Sequence, residues 1–246
     1  MIKIKSQKEI DLITQSCKIL ASIKKIVKDA IRPGVSLKDL DSIAYNETVK
    51  RGAQPAFLGY QGFTGTICAS VNEELIHGIP SDRILKDGDL VSIDMGVKYQ
   101  GYYSDSAFTV SVGKSTSEND MLIEVAEKAF AKGLDAIKPG ATVGDVAFAI
   151  GQYIKKKGFY TTDQFSGHGI GSQLHEDPYV PNDGHPNTGP VLRDNMVICI
   201  EPMILQKSKK IKILKDGWTV ISQNKLKTSH FEQTVLIKNG KGVVLT

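Results

Sequence analysis

Four carboxylates and one imidazole stand out in this sequence because of where they fall. Leu85-Lys86-Asp87-Gly88-Asp89-Leu90-Val91-Ser92-Ile93-Asp94 matches Leu192-Arg193-Asp194-Asn195-Met196-Val197-Ile198-Cys199-Ile200-Glu201 without a gap. Each copy runs from a turn signal through a short apolar run to an acid, so Asp94 and Glu201 are expected at equivalent strand ends. Two similar halves, each delivering an acid, imply one carboxylate-rich site between them. Carboxylates crowded together ordinarily hold a metal.

The first half supplies a pair. Leu90 to Val97 and Tyr102 to Val112 read as strands, joined by Lys98-Tyr99-Gln100-Gly101 as a β-hairpin. With the turn centred between Tyr99 and Gln100, Asp105 falls directly opposite Asp94. Like charges so placed repel, unless a cation sits between them. The competing reading makes one of the two a solvated edge residue. In the second half, Glu232 lies in Phe231-Glu232-Gln233-Thr234-Val235-Leu236-Ile237. A buried acid in such a β-like run is costly without a partner. Ser166-Gly167-His168-Gly169-Ile170-Gly171 places His168 in a glycine-rich loop, where backbone comes close to a ligand, and His175 follows. A lone histidine is more often structural. Beside four strand acids, it completes an oxygen-rich set with one nitrogen that suits Mn, Fe, Co or Zn. Two such metals sharing bridging acids would activate one water.

The elements that must position these residues repeat as well. Ser6-Gln7-Lys8-Glu9 is a capping box, and Ile10, Ile13, Cys17, Leu20 and Val27 recur at helical spacing, which predicts a helix over 7–31. Arg32-Pro33-Gly34 ends it, and Ser36 caps a second helix to about Gly52. Ile31-Arg32-Pro33-Gly34 returns as Ile137-Lys138-Pro139-Gly140 after a helix over 118–137. Thr142 then caps a helix that stops near Gly158. Strands follow each helix pair. The expectation is an α+β chain of one catalytic domain, 1–246, with pseudo-twofold halves of about 1–113 and about 114–246 and no low-complexity linker.

Composition narrows the class. The chain has 246 residues, enough for a large core, and its net charge of +4 does not by itself argue for nucleic acid. Cys17, Cys68 and Cys199 lie far apart with no Cys-x-x-Cys pair, which fits a reducing cytosol rather than a disulfide framework. The first residues lack the apolar core of a signal peptide, no apolar run has the length of a membrane span, and a cytoplasmic location is expected. His175-Glu176 is not a zincin motif, because no second histidine falls in register. Gly113-Lys114-Ser115 fails as a P-loop, since Phe108 stands where the first glycine belongs. A Gly-x-Ser-x-Gly elbow is absent. Lys207, Lys209, Lys210, Lys212 and Lys215 cluster in an expected hairpin, read either as a solvated loop or as a contact for an anionic partner such as ribosomal RNA.

At this point the residues resemble a known family. Asp94, Asp105, His168, Glu201 and Glu232, with Ser-Ile-Asp-Met-Gly, Gly-His-Gly-Ile-Gly and Ile-Glu-Pro-Met around three of them, reproduce the ligand set of the pita-bread metallopeptidases. His77-Gly78-Ile79-Pro80, preceded by Val71-Asn72-Glu73, and Lys215-Asp216-Gly217-Trp218-Thr219 resemble type I methionine aminopeptidases in their minimal, bacterial-style form. Only 25 residues separate His175 from Glu201, without the helical insertion of the type II enzymes. The resemblance spans the chain and implies a pita-bread fold and removal of the N-terminal methionine from nascent proteins whose second residue is small. It implies two divalent metals, with Asp94 on one, His168 on the other, Asp105 and Glu232 bridging, and Glu201 a terminal ligand and proton acceptor. His175 would stabilise the oxyanion and His77 would bind the substrate backbone. Tyr60, Phe63, Cys68, Leu174 and Trp218 match the methionine pocket, where each is otherwise ordinary core. A monomer is implied.

Three segments depart from the family pattern. Tyr103-Ser104 precedes Asp105 where His-Gly is frequent, Ser172-Gln173 follows Gly171 where a basic residue is common, and His230 and Gln233 flank Glu232 in place of Gln and His. His230 shares a strand face with Glu232 and is expected to be an outer partner of that ligand. The rival readings are an Xaa-Pro peptidase of the same fold and a non-catalytic pita-bread binding module.

Overall fold

The computed structural model describes all residues, Met1–Thr246. In the first half, α1 (Gln7–Ala30) and α2 (Leu37–Lys50) precede β1 (Gln54–Pro55), β2 (Ile67–Val71), β3 (Glu74–Ile76), β4 (Leu90–Tyr99) and β5 (Tyr102–Ser111). The second half repeats the plan with α3 (Ser117–Asp135) and α4 (Val143–Lys156). Its strands are β6 (Gly167–Gly169), β7 (Glu176–Val180), β8 (Val197–Ile200), β9 (Met203–Ile204), β10 (Ile211–Ile213), β11 (Val220–Ser222), β12 (Ser229–His230), β13 (Glu232–Lys238) and β14 (Lys241–Val244).

The helix signals act as read. Ser6 with Glu9, Ser36 with Asp39 and Thr142 with Asp145 form reciprocal capping boxes, each satisfying otherwise orphaned helix N–H groups. Gly34 and Gly140 occupy the same left-handed conformation, φ +92° and +84°, at matching points of the two halves. A side chain would be strained there. Along α1 the buried stripe is Ile10, Ile13, Cys17, Leu20, Ile23 and Val27, and each fully buried Leu or Ile contributes about 1.5–3 kcal/mol.

One nine-stranded sheet joins the halves. Its order is β1-β4-β5-β13-β8-β6-β7, with β2 also on β4 and β14 also on β13. The seam is the β5–β13 pair, where Glu232 lies opposite Ala107 and Gln233 opposite Ser106. Helices α1 and α2 pack a core against β2 and β4, while α3 and α4 pack its counterpart against β8 and β13. Ile10, Ile13 and Cys17 join Phe57, Phe63, Cys68, Leu174 and Cys199 in a third cluster across the middle. A three-stranded sheet, β10-β11-β3, and a two-stranded one, β9-β12, lie beside the large sheet.

Two sequence expectations are corrected here. The hairpin turns between Gln100 and Gly101, both at positive φ (+48° and +87°), as a two-residue type I′ loop demands. Tyr99 therefore pairs with Tyr102, Asp94 with Ala107, and Asp105 with Gly96. The aspartates are diagonal neighbours on one face rather than directly opposed. The other correction concerns Asp94, which lies in the middle of β4, since that strand runs on to Tyr99. Only Glu201 follows a strand end, where Pro202 has no N–H to continue the ladder.

Candidate metal centre

The register of the large sheet assembles the site in two adjacent rows. Asp94 pairs with Ala107, Ala107 with Glu232, and one further step of the β13–β8 register sets Glu201 opposite Glu232. That row reads Asp94, Ala107, Glu232, Glu201 across four strands. Two residues along the strands, Gly96 pairs with Asp105, and Thr234 pairs with Cys199. The Thr234 hydroxyl accepts from the Asp105 N–H at 3.1 Å and donates to its carbonyl at 2.8 Å. One step of the β6–β8 register beyond Gly169–Ile198 brings His168 to Cys199. Side chains two apart on a strand share a face, so all five sequence-predicted ligands project into the same space. Ala107, between Asp94 and Glu232, contributes only a methyl group to the first row, while Phe57 and Ala56 pack over Gly96 in the second.

The donors converge closely. One donor atom each from Asp94, Asp105 and Glu232 lies within 4.8 Å of the others. His168 Nε2 is 3.7 Å from Glu201 Oε1, 3.9 Å from Asp105 Oδ2 and 4.0 Å from Glu232 Oε1. The other ring nitrogen, Nδ1, is 2.9 Å from the Gly169 carbonyl oxygen. A carbonyl only accepts, so Nδ1 carries the proton and Nε2 turns its lone pair toward the carboxylates. Burial, then the neighbouring His175, bring the His168 pKa down to about 3, which keeps the ring neutral.

The carboxylates are buried against one another. Burial, followed by the charges of neighbouring carboxylates including Asp94, pushes Asp105, Glu201 and Glu232 well above the usual carboxylate range. Burial also raises Asp94, with His230 opposing. Asp94 Oδ1, Asp105 Oδ1 and Glu232 Oε1 are buried with no hydrogen-bond partner. Unmade contacts at buried charged groups cost several kcal/mol. Divalent cations among these oxygens would remove that cost, and the donor set is of the right chemistry to hold them.

The rows form the floor of a cavity of about 360 Å³ that is also lined by Tyr60, Phe63, Cys68, His77, Leu174, His175 and Trp218. Every residue that the resemblance placed in the pocket is therefore at one site. His77 holds a left-handed backbone, φ +59°, costly for a histidine and typical of a functional position. Its ring sits edge-on to Phe165 and Trp218, at 5.5 Å and 6.3 Å, and burial lowers its pKa to about 4. The exposed His175 stacks edge-on to His168 at 4.3 Å, and its Nδ1 is 2.8 Å from the Tyr60 hydroxyl. Burial of its ring face lowers its pKa. Trp218 rides on the β10–β11 connection, whose hairpin also bears the exposed Lys212 and Lys215, while the exposed Lys207, Lys209 and Lys210 lie on the segment leading into it rather than within it as expected. Lys209 pairs with Asp163 at 2.6 Å.

Sequence reasoning missed some residues. Phe165 and Tyr179 line the cavity; Phe165 directly precedes the glycine-rich loop, the one signal that could have flagged it. Ala107 carries no chemical signal. The Lys24 amine, on α1, donates to Ser106 Oγ at 2.8 Å and Gln233 Oε1 at 3.2 Å, beside two ligand positions. Burial brings its pKa down to about 8.

Comparison with known proteins agrees with this geometry. Residues 11–239 match the model of metallopeptidase family M24. Methionine aminopeptidase 1 of Bacillus subtilis is 44% identical over 246 residues, covering 100% of this chain and 99% of that protein. The methionine aminopeptidase of Mycoplasma capricolum is 46% identical over 248 residues, with 100% and 98% covered. The crystal structure of methionine aminopeptidase from Thermotoga maritima superposes with a TM-score of 0.98 at 38% identity, covering 100% of this chain and 99% of that one. No helix is long and apolar enough to cross a membrane. By sequence, by its curled antiparallel sheet and by the residues that sheet brings together, the chain belongs to metallopeptidase family M24 and has its pita-bread fold.

Proposed function

We propose that this chain is a cytoplasmic methionyl aminopeptidase that hydrolyses the N-terminal methionine from nascent proteins when the second residue is small. The observation that carries the reading is the coincidence, in one cavity, of the five-donor cluster with His77, His175 and an aromatic-lined slot. Full-length likeness to methionine aminopeptidases supports it.

Asp94, Asp105, His168, Glu201 and Glu232 would hold two divalent ions (Mn, Fe, Co or Zn), Asp105 and Glu232 contributing to both and Asp94 and His168 to one each. When bound, such ions supply Lewis acidity and an acidified water at neutral pH. Glu201, at the end of its strand and facing the cavity, takes the proton from the attacking water. With the Tyr60 hydroxyl donating to Nδ1, His175 keeps its proton on Nε2 and offers it to the developing oxyanion of the scissile carbonyl. His77, neutral and fixed by its backbone, hydrogen-bonds the substrate main chain. Tyr60, Phe63, Cys68, Leu174 and Trp218 form an apolar, polarisable slot that suits a thioether, with aromatic edges for the sulfur. Cys68 serves there as a thiol, because burial pushes its pKa well up. The two halves act as one unit, since neither contains a complete donor set. The lysine-bearing hairpin is proposed as a ribosome contact and the enzyme as a monomer.

The test is release of free methionine from Met-Ala-Ser by metal-stripped protein, before and after Mn(II) or Co(II) is restored, with Ala-Pro as control. Metal-dependent methionine release without Ala-Pro cleavage is expected. Cleavage of Ala-Pro alone would move the chain to an Xaa-Pro peptidase. Cleavage of neither, with metal bound, would make it a binding module.

A further inference from the structure

We infer that His230 is a sixth side-chain donor of the metal centre, binding a divalent cation through Nε2 together with Glu201 and Glu232. This rests on the reading of the cluster as a metal site. The sequence pattern alone suggested an outer partner of Glu232. The geometry is different.

His230 is 1% exposed, and neither of its ring nitrogens has a hydrogen-bond partner. A neutral imidazole carries one donor and one acceptor, and buried polar groups with both unmade are rare. Nε2 lies 3.6 Å from Glu201 Oε2 and 4.0 Å from Glu232 Oε2. Both distances exceed the ~2.7–3.2 Å of a hydrogen bond. They match the spacing of atoms around a shared ion, since two donors each ~2.1 Å from one cation lie ~3.0–4.2 Å apart. Donor atoms of Glu201, His230 and Glu232 form a group whose mutual separations are all within 4.8 Å.

The ring is aimed there by its backbone. Thr109 Oγ1 accepts from the His230 N–H at 3.0 Å and donates to the His230 carbonyl at 2.7 Å. Ser92 Oγ, 2.7 Å away, braces that hydroxyl in turn. Strand β12 is pinned on its other side through His230–Met203 pairing. Position 230 is therefore held from both strand edges while the imidazole tip is left unengaged. A second nitrogen makes the set four carboxylates and two imidazoles. That shifts preference toward metals that favour imidazole, such as Zn or Co, relative to Mn or Mg.

The experiment is proton NMR of the full-length protein in water after two equivalents of Co(II). Each imidazole bonded to Co(II) gives a strongly shifted, solvent-exchangeable ring N–H signal, and an imidazole outside the coordination sphere does not. Two such signals are expected in the wild type. One should vanish in His230→Gln and the other in His168→Gln. Calorimetric titration of His230→Gln should show Co(II) affinity weakened at one site by at least the ~10–100-fold that loss of even an outer partner costs, with a smaller loss for Mn(II). A single signal in the wild type, surviving in His230→Gln, would overturn the assignment while leaving the metal centre intact. Because that count is made on the wild type, it does not depend on the variants folding. Shifted signals from no histidine at all would overturn the metal-site reading itself.

Discussion

A buried ion pair that includes none of the metal ligands ties the chain's first residues to its catalytic loop, and breaking it should cost both stability and rate. Lys5 Nζ and Glu176 Oε2 are 2.5 Å apart, with each side chain only 3% exposed. Glu176 also accepts, through Oε1, from the Gln173 N–H and the Ser172 hydroxyl, both at 3.1 Å. It thus organises the turn that ends in His175. Burial pulls the Glu176 pKa upward, but the hydrogen bond and charge of Lys5, with help from Gln173 and Lys3, outweigh it and hold the carboxyl below its ordinary range. Lys5→Met keeps the aliphatic stem and removes the charge, leaving a buried carboxylate. Truncating one partner of such a pair costs about 3–5 kcal/mol. For a chain of this size each kcal/mol lowers Tm by about 2–4 °C, so calorimetry should show a fall of about 6–20 °C. Because the folded pKa of Glu176 is depressed, the stabilisation is present above its unfolded value of about 4.3 and is lost as pH falls through the folded value. The wild-type advantage should therefore hold at pH 6–8 and shrink in acid. Misplacing His175 should lower kcat by about tenfold, or about 1.4 kcal/mol, with little change in KM. Lys3→Met is the control: its ammonium is 3.6 Å from the same carboxylate but half-exposed, and should matter by less than about 1 kcal/mol. A Lys5→Met protein melting within about 2 °C of wild type, with unchanged kcat, would refute the reasoning.

Three further outcomes follow from the geometry. Ala107→Leu fills the gap between Asp94 and Glu232 in the first row. Calorimetric titration should show metal binding weakened by 100-fold or more, about 2.7 kcal/mol, while circular dichroism shows the sheet intact. Tyr60→Phe removes the partner of His175 Nδ1; kcat should fall by about tenfold, about 1.4 kcal/mol, with metal affinity unchanged, and an equal loss of metal affinity would contradict the role. Replacing Lys207, Lys210, Lys212 and Lys215 by Gln, all exposed on the β10–β11 hairpin or the segment leading into it, should abolish low-salt co-sedimentation with ribosomes and leave tripeptide cleavage intact. Unchanged sedimentation would remove the ribosome contact.

How far the site was legible in the sequence depended on the range of the interaction that placed each residue. Caps, turns and apolar spacing are local, so all four helices were readable, and the repeated turn-strand-acid segment exposed Asp94 and Glu201 as equivalents. The hairpin register was off by one step because the decision between Tyr99-Gln100 and Gln100-Gly101 as the turn centre hinges on which pair accepts two positive φ angles. Gly101 settles it in favour of the latter. That slip kept both aspartates on one face, since moving the turn centre by one residue changes the partner by two, so the metal inference survived a wrong pairing. The rows themselves were not readable. They rest on β5 meeting β13 across the seam, Glu232 opposite Ala107, and no local pattern announces a contact at that sequence separation. Lys5 and Glu176 were invisible for the same reason, since each alone looks like a surface charge. His230 marks the sharper limit. Its place on the face of Glu232 was evident, but whether it bonds a carboxylate or a cation turns on tenths of an ångström between Nε2 and two glutamates. Those distances are set by the backbone that Thr109 of β5 holds, a residue that carries no mark of the chemistry it positions.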